Sequence, residues 1–319
     1  METETLHRPK IVVIGSCNTD MVVKAPALPL PGETILGGTF SMNPGGKGAN
    51  QAIAAARLGA DVTFISKIGY DLYGLNAMEI YKSERINTEY IFTDPKHPTG
   101  VALISVDYSG ENSIIVAPGA SRSLSPEDID KAEAKIAEAD IVLMQLEIPV
   151  DTVEHAAAIA YRYGVKVVLN PAPAAILSEA LLHNVGVILP NRLEAEMLSG
   201  IKVTDEQTAW LAARAIGDKG IADVVITLGR DGAFVKDNDE YTMIPTRNVE
   251  AVDTTGAGDV FCGAFSVCLA KGQSLKECAE FANTAASIAI TRIGAQSAIP
   301  YMAEVNLAIE RHRQGANRL

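Results

Sequence analysis

The sequence predicts an α/β protein: a doubly wound, mostly parallel sheet flanked by helices, with a small β-sheet lid. Three observations carry that expectation. Short β-branched runs alternate with helical patterns over most of the chain, which is the rhythm of strands joined by crossover helices. Several runs are almost continuously apolar, as strands covered on both faces must be. Two stretches break the rhythm, and both are extended with no helix inside them.

In chain order, strands are expected at Lys10–Gly15, Asp61–Gly69, Asp140–Glu147, Val165–Pro171, Gly186–Asn191 and Asp223–Gly229. Helical periodicity covers Gly48–Leu58, Glu127–Ala139, Thr152–Tyr163, Arg192–Ser199 and Asp205–Lys219. Ser125–Asp128 and Val203–Gln207 each place a capping side chain ahead of acidic residues, the mark of a helix start. The first irregular stretch, Met21–Phe40, is punctuated by Pro and Gly. The second, Thr99–Ala117, sets two strand-like runs around Ser109-Gly110-Glu111-Asn112, a hairpin signal. Together they are expected to form a discontinuous lid from residues 21–42 and 99–118; an ordinary edge hairpin is the other reading of that pattern. No repeat or low-complexity linker divides the chain, so a single domain over 1–319 is expected.

Composition removes several function classes. With 319 residues and 48% hydrophobic content, a large core is available and disorder is excluded. The balance of 27 basic against 39 acidic residues, with no basic stripe, argues against a nucleic-acid partner. Cys17, Cys262, Cys268 and Cys278 form no C-x-x-C pair and have no His at metal-ligand spacing. They read as small buried hydrophobes in a reducing compartment. The opening METETLHRPK is too polar for a signal segment, and Val260–Ala270 is too short to span a membrane. A cytoplasmic protein without a membrane partner is therefore expected.

Three polar constellations carry the chemistry. Near the end, Gly256-Ala257-Gly258-Asp259 opens an apolar helical run. Such a loop turns backbone N–H groups and a helix N-terminus toward one anion. Asp259 beside that anion would repel it unless it served as a proton acceptor, although Asp also caps helices well. In the first third, Gly45, Gly46 and Gly48 surround Lys47, with Asn50 one turn on. The spacing fails both the P-loop and the dinucleotide fingerprint, because Ser41 and Gln51 stand where glycines would be needed. After the first strand, Asn18 and Asp20 lie two apart and project to one side of an extended backbone. A carboxylate with an amide suits vicinal hydroxyls, but both residue types also favour turns. Glu147 faces a similar choice between a ligand contact and a solvated strand end.

Taken together, Asn18-x-Asp20, Gly45–Asn50 and Asp253–Asp259 resemble the ribokinase branch of the PfkB carbohydrate kinases. Asn170–Ala174, Pro190–Glu196, Ile226–Gly229 and Thr291–Gln296 extend the resemblance over almost the whole chain. It implies ATP-dependent phosphorylation of D-ribose at the 5-hydroxyl, giving D-ribose 5-phosphate. By that resemblance Asn18, Asp20, Gly46, Lys47, Asn50 and Glu147 hold the sugar, and Asp259 is the base. The Gly256, Ala257 and Gly258 amides form the anion hole. Asn191, Thr227, Gly229, Gly232, Gly258 and Asn283 fall where the family binds ATP. Asp253, Thr255, Ala289, Arg292 and Gly294 match loops that hold an activating monovalent cation, usually K⁺. Mg²⁺ and a homodimer formed through the lid are implied as well. Where relatives often carry N-E-x-E, this chain has Asn191-Arg192-Leu193-Glu194, so any role toward Mg²⁺ falls on Asn191 and Glu194 through water. Ala298, beside Ser297, stands where some relatives offer a Ser hydroxyl to the cation. Other readings are a kinase of 2-deoxyribose, fructose or a nucleoside, and a sugar sensor that does no chemistry. Trp210 lies in a surface-like helix, so no stacking platform for a purine is evident. A nicotinamide dehydrogenase fails on the glycine fingerprint.

Overall fold

A computed structural model of the chain describes residues 8–238 and 240–315. The polar opening segment, apart from its last three residues, and the final four residues of the expected domain lie outside this range. From one edge to the other, the main sheet runs β13 (Glu240–Ile244), β12 (Ala233–Asp237), β11 (Asp223–Thr227), β10 (Val187–Ile188), β9 (Lys166–Leu169), β8 (Ile141–Met144), β1 (Lys10–Ile14), β4 (Asp61–Gly69) and β5 (Ile91–Asp94). Strands β11 to β5 pair in parallel, while β12 and β13 are antiparallel.

Helices cover both faces, and β1 shows why its sequence is uniformly apolar. Ile11 and Val13 enter one core cluster, whereas Val12 and Ile14 enter the other. The first cluster includes α1 (Lys47–Arg57), α2 (Leu72–Ser83), α9 (Ala257–Ala270), α10 (Leu275–Ala289) and α11 (Met302–Arg313). The second includes α3 (Pro126–Lys131), α4 (Glu133–Ala137), α5 (Val150–Arg162), α6 (Glu179–Asn184), α7 (Arg192–Ser199) and α8 (Glu206–Gly217). Trp210 packs beside Tyr241, with ring centroids 6.5 Å apart, on the flank of this second core.

The strand at Asp61–Gly69 and the helix at Arg192–Ser199 have the expected bounds. The other five expected strands stop short of their bounds, and in two of them Gln145–Glu147 and Leu189–Asn191 leave the sheet to carry polar groups toward the site. The helix expected at Glu127–Ala139 breaks at Ala132 into α3 and α4. The expected starts are present: Ser125 with Asp128, and Asp205 with Thr208, form capping boxes. The antiparallel edge β12–β13 and helices α2, α6, α10 and α11 add to the elements expected.

A second sheet stands apart, ordered β3 (Thr39–Gly45), β2 (Asn18–Ala25), β6 (Gly100–Asp107) and β7 (Asn112–Ala117). Met42, Met21, Leu103 and Ile115 are opposed across its four strands, forming an apolar row. Met42, Leu103 and Ile115 are exposed, as is the neighbouring Phe40. Strand alternation puts Asn18 and Asp20 on the opposite face.

Candidate active site

The turn after β1 and the start of α1 form the floor. Gly48 must lack a side chain: a Cβ there would stand 2.6 Å from the Gly15 carbonyl carbon and the Ser16 nitrogen. The helix therefore begins in contact with the turn backbone. Glu147, leaving β8, accepts the Lys47 N–H at 3.0 Å and the Ser16 hydroxyl at 2.5 Å through the same oxygen. It thus places negative charge at the N-terminus of α1, where the helix dipole favours it. The carboxyls of Asp20 and Asp259 both feel its charge.

Gly256, in the left-handed region at φ 73°, is the N-cap of α9 and makes no side-chain cap bond. Asp259 lies in the first turn, and its carboxylate does not cap the helix. Instead Oδ2 accepts Asn50 Nδ2 at 2.9 Å and Oδ1 accepts Gln51 Nε2 at 3.0 Å. The carboxylate is therefore engaged by α1 and not by the backbone of its own helix. A cavity of about 220 Å³ is bordered by Lys47, Glu194, Thr227, Asp259 and the Gly256–Gly258 backbone. Asn191 also borders it.

Four carboxylates, Asp20, Glu147, Glu194 and Asp259, lie within electrostatic reach of the Lys47 ammonium, and the charges of this cluster perturb one another. Asp259 first, then Glu147 and Glu194, hold the Lys47 pKa above its usual value against the effect of burial. Burial, followed by the charges of Glu147 and Asp259, pushes Asp20 up to about 6, with Lys47 opposing. Burial also raises Asp259, while Lys47 and the two amides favour its ionised form. Burial raises Glu194, against the hydrogen bond from the Asn191 backbone. Asn18 is buried in β2, with its Oδ1 unpartnered. Neither Asn18 nor Asp20 sits in a turn; both belong to the strand.

On the far side, Asn191 and Glu194 form a reciprocal cap. Glu194 N–H donates to Asn191 Oδ1 at 2.9 Å, and the Asn191 backbone and side-chain N–H groups donate to Glu194, each at 2.8 Å. The Thr227 N–H donates to Pro190 O at 2.9 Å, fixing Thr227 beside Asn191. Gly229 and Gly232 lie in the turn beyond β11. A Cβ on Gly232 would fall 1.9 Å from Ile244 O, the carbonyl that also accepts Asn283 Nδ2 at 3.2 Å. Gly229, Gly232 and Asn283 thus form a rim outside the cavity lining, while Asn191, Thr227 and Gly258 border the cavity itself. Arg192 lies outside the cavity lining: it donates to Val203 O, Leu228 O and Asp231.

Asp253 joins two loops behind the α9 N-terminus. Its Oδ1 accepts the Thr255 N–H at 2.9 Å and hydroxyl at 2.7 Å, and Oδ2 accepts the Gly294 N–H at 2.8 Å. Burial opposes ionisation of Asp253, but these hydrogen bonds outweigh it and hold the carboxyl below its usual range. The Arg292 N–H closes a turn onto Ala289 O at 3.0 Å, and its guanidinium pairs with Glu304. Ala298 is buried, and the Ser297 hydroxyl donates to Ile293 O at 3.0 Å.

Sequence reasoning missed Ser16, Gln51, Gln145 and Gln296, and it gave Asn170 no role. Gln51 had a legible signal: adjacent Asn and Gln interrupt a helix that is otherwise small and apolar along its buried positions.

Residues 8–302 match the family model described as pfkB family carbohydrate kinase. The ribokinase of Haemophilus influenzae is 48% identical over 293 residues, covering 92% of this chain and 96% of the relative. A deoxyribokinase of Salmonella typhimurium is 36% identical over 297 residues, covering 93% and 97% of the two chains. The structure of Arabidopsis thaliana ribokinase complexed with ribose and ATP superposes with a TM-score of 0.87 at 31% identity, covering 95% of this chain and 99% of that one. A match of this extent shows the family: the chain belongs to the pfkB family of carbohydrate kinases.

Proposed function

We propose that the chain transfers the γ-phosphoryl group of ATP to the 5-hydroxyl of D-ribose, producing D-ribose 5-phosphate and ADP. The observation that carries this reading is a single cavity bordered by the Asp259 carboxylate, the backbone opening α9 and Lys47. Asn18, Asp20, Gly46, Lys47, Asn50 and Glu147 hold the sugar hydroxyls and the backbone around them. Asp259 takes the proton from the reacting hydroxyl as its oxygen bonds to phosphorus. The bond between phosphorus and the bridging oxygen breaks, and ADP departs. Backbone N–H groups at Gly256–Gly258 receive the charge on the phosphoryl oxygens. Asn191, Thr227, Gly229, Gly232 and Asn283 line the path for the nucleotide.

Four carboxylates against one ammonium make the site strongly negative, so a polyphosphate enters with a divalent cation to offset repulsion. Mg²⁺ suits that need, with Glu194 and Asn191 acting on it through water. Asp253 ties the loop at Thr255 to Gly294, and carbonyl and carboxylate oxygens of such loops suit a hard cation such as K⁺. Asp253 and the backbone at Thr255, Ala289, Arg292 and Gly294 would hold it. Bound there, it supplies fixed positive charge near the anion hole. The second sheet serves as a lid over the sugar, and its exposed Phe40, Met42, Leu103 and Ile115 suit a second copy of the chain. A cytoplasmic location is supported by four free, buried cysteines, and no helix among the described residues is long and apolar enough to cross a membrane.

ATP consumption measured with D-ribose, 2-deoxyribose, fructose and adenosine, each with and without K⁺, tests the proposal. Ribose-dependent turnover that rises with K⁺ is expected. The second reading is 2-deoxyribose phosphorylation, favoured by the similarity to a deoxyribokinase, and it wins if that sugar has the higher kcat/KM. Ribose binding without turnover on any substrate would leave a sensor.

The Asp20 carboxyl gives a pH signature. Its folded pKa of about 6 lies above the ordinary aspartate value of 3.8, so it takes up a proton as pH falls through 6 and then accepts fewer sugar hydroxyls. KM for the sugar is expected to climb between pH 7 and 5. In Asp20→Asn it should be high and nearly flat across that window. A wild-type KM independent of pH there would remove Asp20 from the sugar grip.

A further inference from the structure

We infer that Gln51 and Gln145 are positioning residues for Asp259, forming with Asn50 and Gln296 a buried amide clamp that fixes the base's direction and proton affinity. The inference rests on Asp259 being the base.

Gln51 is fully buried in α1, where an amide is costly unless its groups are bonded. Its Nε2 donates to Asp259 Oδ1 at 3.0 Å and to Asn170 Oδ1 at 3.1 Å. Its Oε1 accepts Gln145 Nε2 at 2.6 Å. Flipping the Gln51 amide would set one NH₂ group against another, so Gln145 keeps the donor end on the carboxylate. Asn50 is held in the same way. Its Nδ2 donates to Asp259 Oδ2 at 2.9 Å, and its Oδ1 accepts Gln296 Nε2 at 3.1 Å. Each carboxylate oxygen thus meets an amide that another amide locks from behind.

Packing alone does not account for the outer pair. Gln145 and Gln296 are buried, and each leaves its own Oε1 without a partner. Stability by itself would favour apolar side chains at both positions. Gln51, Gln145 and Gln296 lie outside the cavity lining, so their effect on chemistry passes through Asp259 and Asn50. The charged or titratable groups facing Asp259 are Lys47 from α1, Asp20 from β2, Glu147 after β8, Glu194 from α7 and Cys262 from α9 itself. Substitution at Gln51 or Gln145 removes none of them.

The test is the titration of the Asp259 carboxyl carbon by ¹³C NMR in substrate-free protein, assigned by its loss in Asp259→Asn. Removing a donor to the charged form raises a carboxyl pKa. Gln51→Leu is expected to raise the midpoint by about one to two pH units. Gln145→Leu should move it less, in the same direction. The double variant should go no further than Gln51→Leu, because the path runs through Gln51. The acidic limb of the kcat profile should follow, with KM for sugar and ATP held within about twofold. An unmoved midpoint in folded Gln51→Leu, or additive shifts in the double variant, overturns the clamp. If Gln51→Leu does not fold, Gln145→Leu decides alone. Should the midpoints move in an enzyme that phosphorylates no sugar, the clamp stands and the kinase reading falls.

Discussion

Asp259→Asn is expected to lower kcat with D-ribose by on the order of 10²–10⁴, while the fold and ATP binding survive. Asparagine keeps the shape of the side chain and removes the group that receives the proton. The surroundings tolerate the change unusually well. Asp259 is buried and its carboxyl is raised by that burial, so a neutral replacement no longer bears the cost of a desolvated charge. Against that gain, the asparagine has one acceptor oxygen where Asn50 and Gln51 now find two. One of those donors is left without its partner, at a cost of about 1–3 kcal/mol. The two effects oppose, so the melting temperature should change little compared with the change in rate.

The raised pKa also favours Asp259 as a base, because a proton acceptor works best when its pKa approaches the working pH. The same shift means that acid removes activity by protonating Asp259. Measuring kcat and ATP affinity separately on the folded variant checks the assignment. Turnover near the wild-type level would show that the proton goes elsewhere.

How much of this was legible follows from what each residue contacts. The parallel strands were readable because burial on both faces forces a continuous apolar run, as in Ile11–Ile14. Strands β6 and β7 of the second sheet were readable because Ser109–Asn112 separates two β-like runs. The edge pair β12–β13 was not, since Ala233–Asp237 ends in polar residues and Glu240–Ile244 begins with them. Helix α10 was missed for another reason: Ala, Ser, Thr and Asn fill many of its buried positions, so its buried face is small rather than strongly apolar. In the site, Asn18, Lys47 and Asp259 stood out as polar residues beside glycines or a strand end. Whether Asp259 caps its helix depended on partners far away in sequence, on α1. Gln296 ends a stretch that carries the resemblance, but neither it nor Gln145 showed a role in the sequence, because that role is set by contacts with Asn50 and Gln51, 246 and 94 residues away.

Lys47→Met is the second substitution with a large expected effect, and it should be visible in both activity and stability. Lys47 is the cation that lowers the pKa values of Asp20, Glu194 and Asp259. Removing one member of a buried charge cluster typically costs about 3–5 kcal/mol, because the remaining charges stay desolvated and unpaired. Asp20, already at about 6, then rises further, and a larger fraction is protonated at neutral pH. KM for the sugar should increase, and kcat/KM should fall by roughly 10²–10⁴, the range that about 3–5 kcal/mol of lost transition-state stabilisation would give. The pH dependence of stability distinguishes lost charge from lost packing. A carboxyl whose folded pKa lies above its unfolded value binds its proton more tightly in the native state. Its penalty therefore grows as pH rises through the folded pKa and fades as pH falls below it. The deficit in melting temperature of Lys47→Met relative to wild type should be large at pH 8 and much smaller at pH 5, where Asp20 and its neighbours take up protons. An equal deficit at both values, with the sugar KM unchanged, would mean that Lys47 contributes packing and not the charge on which the site depends.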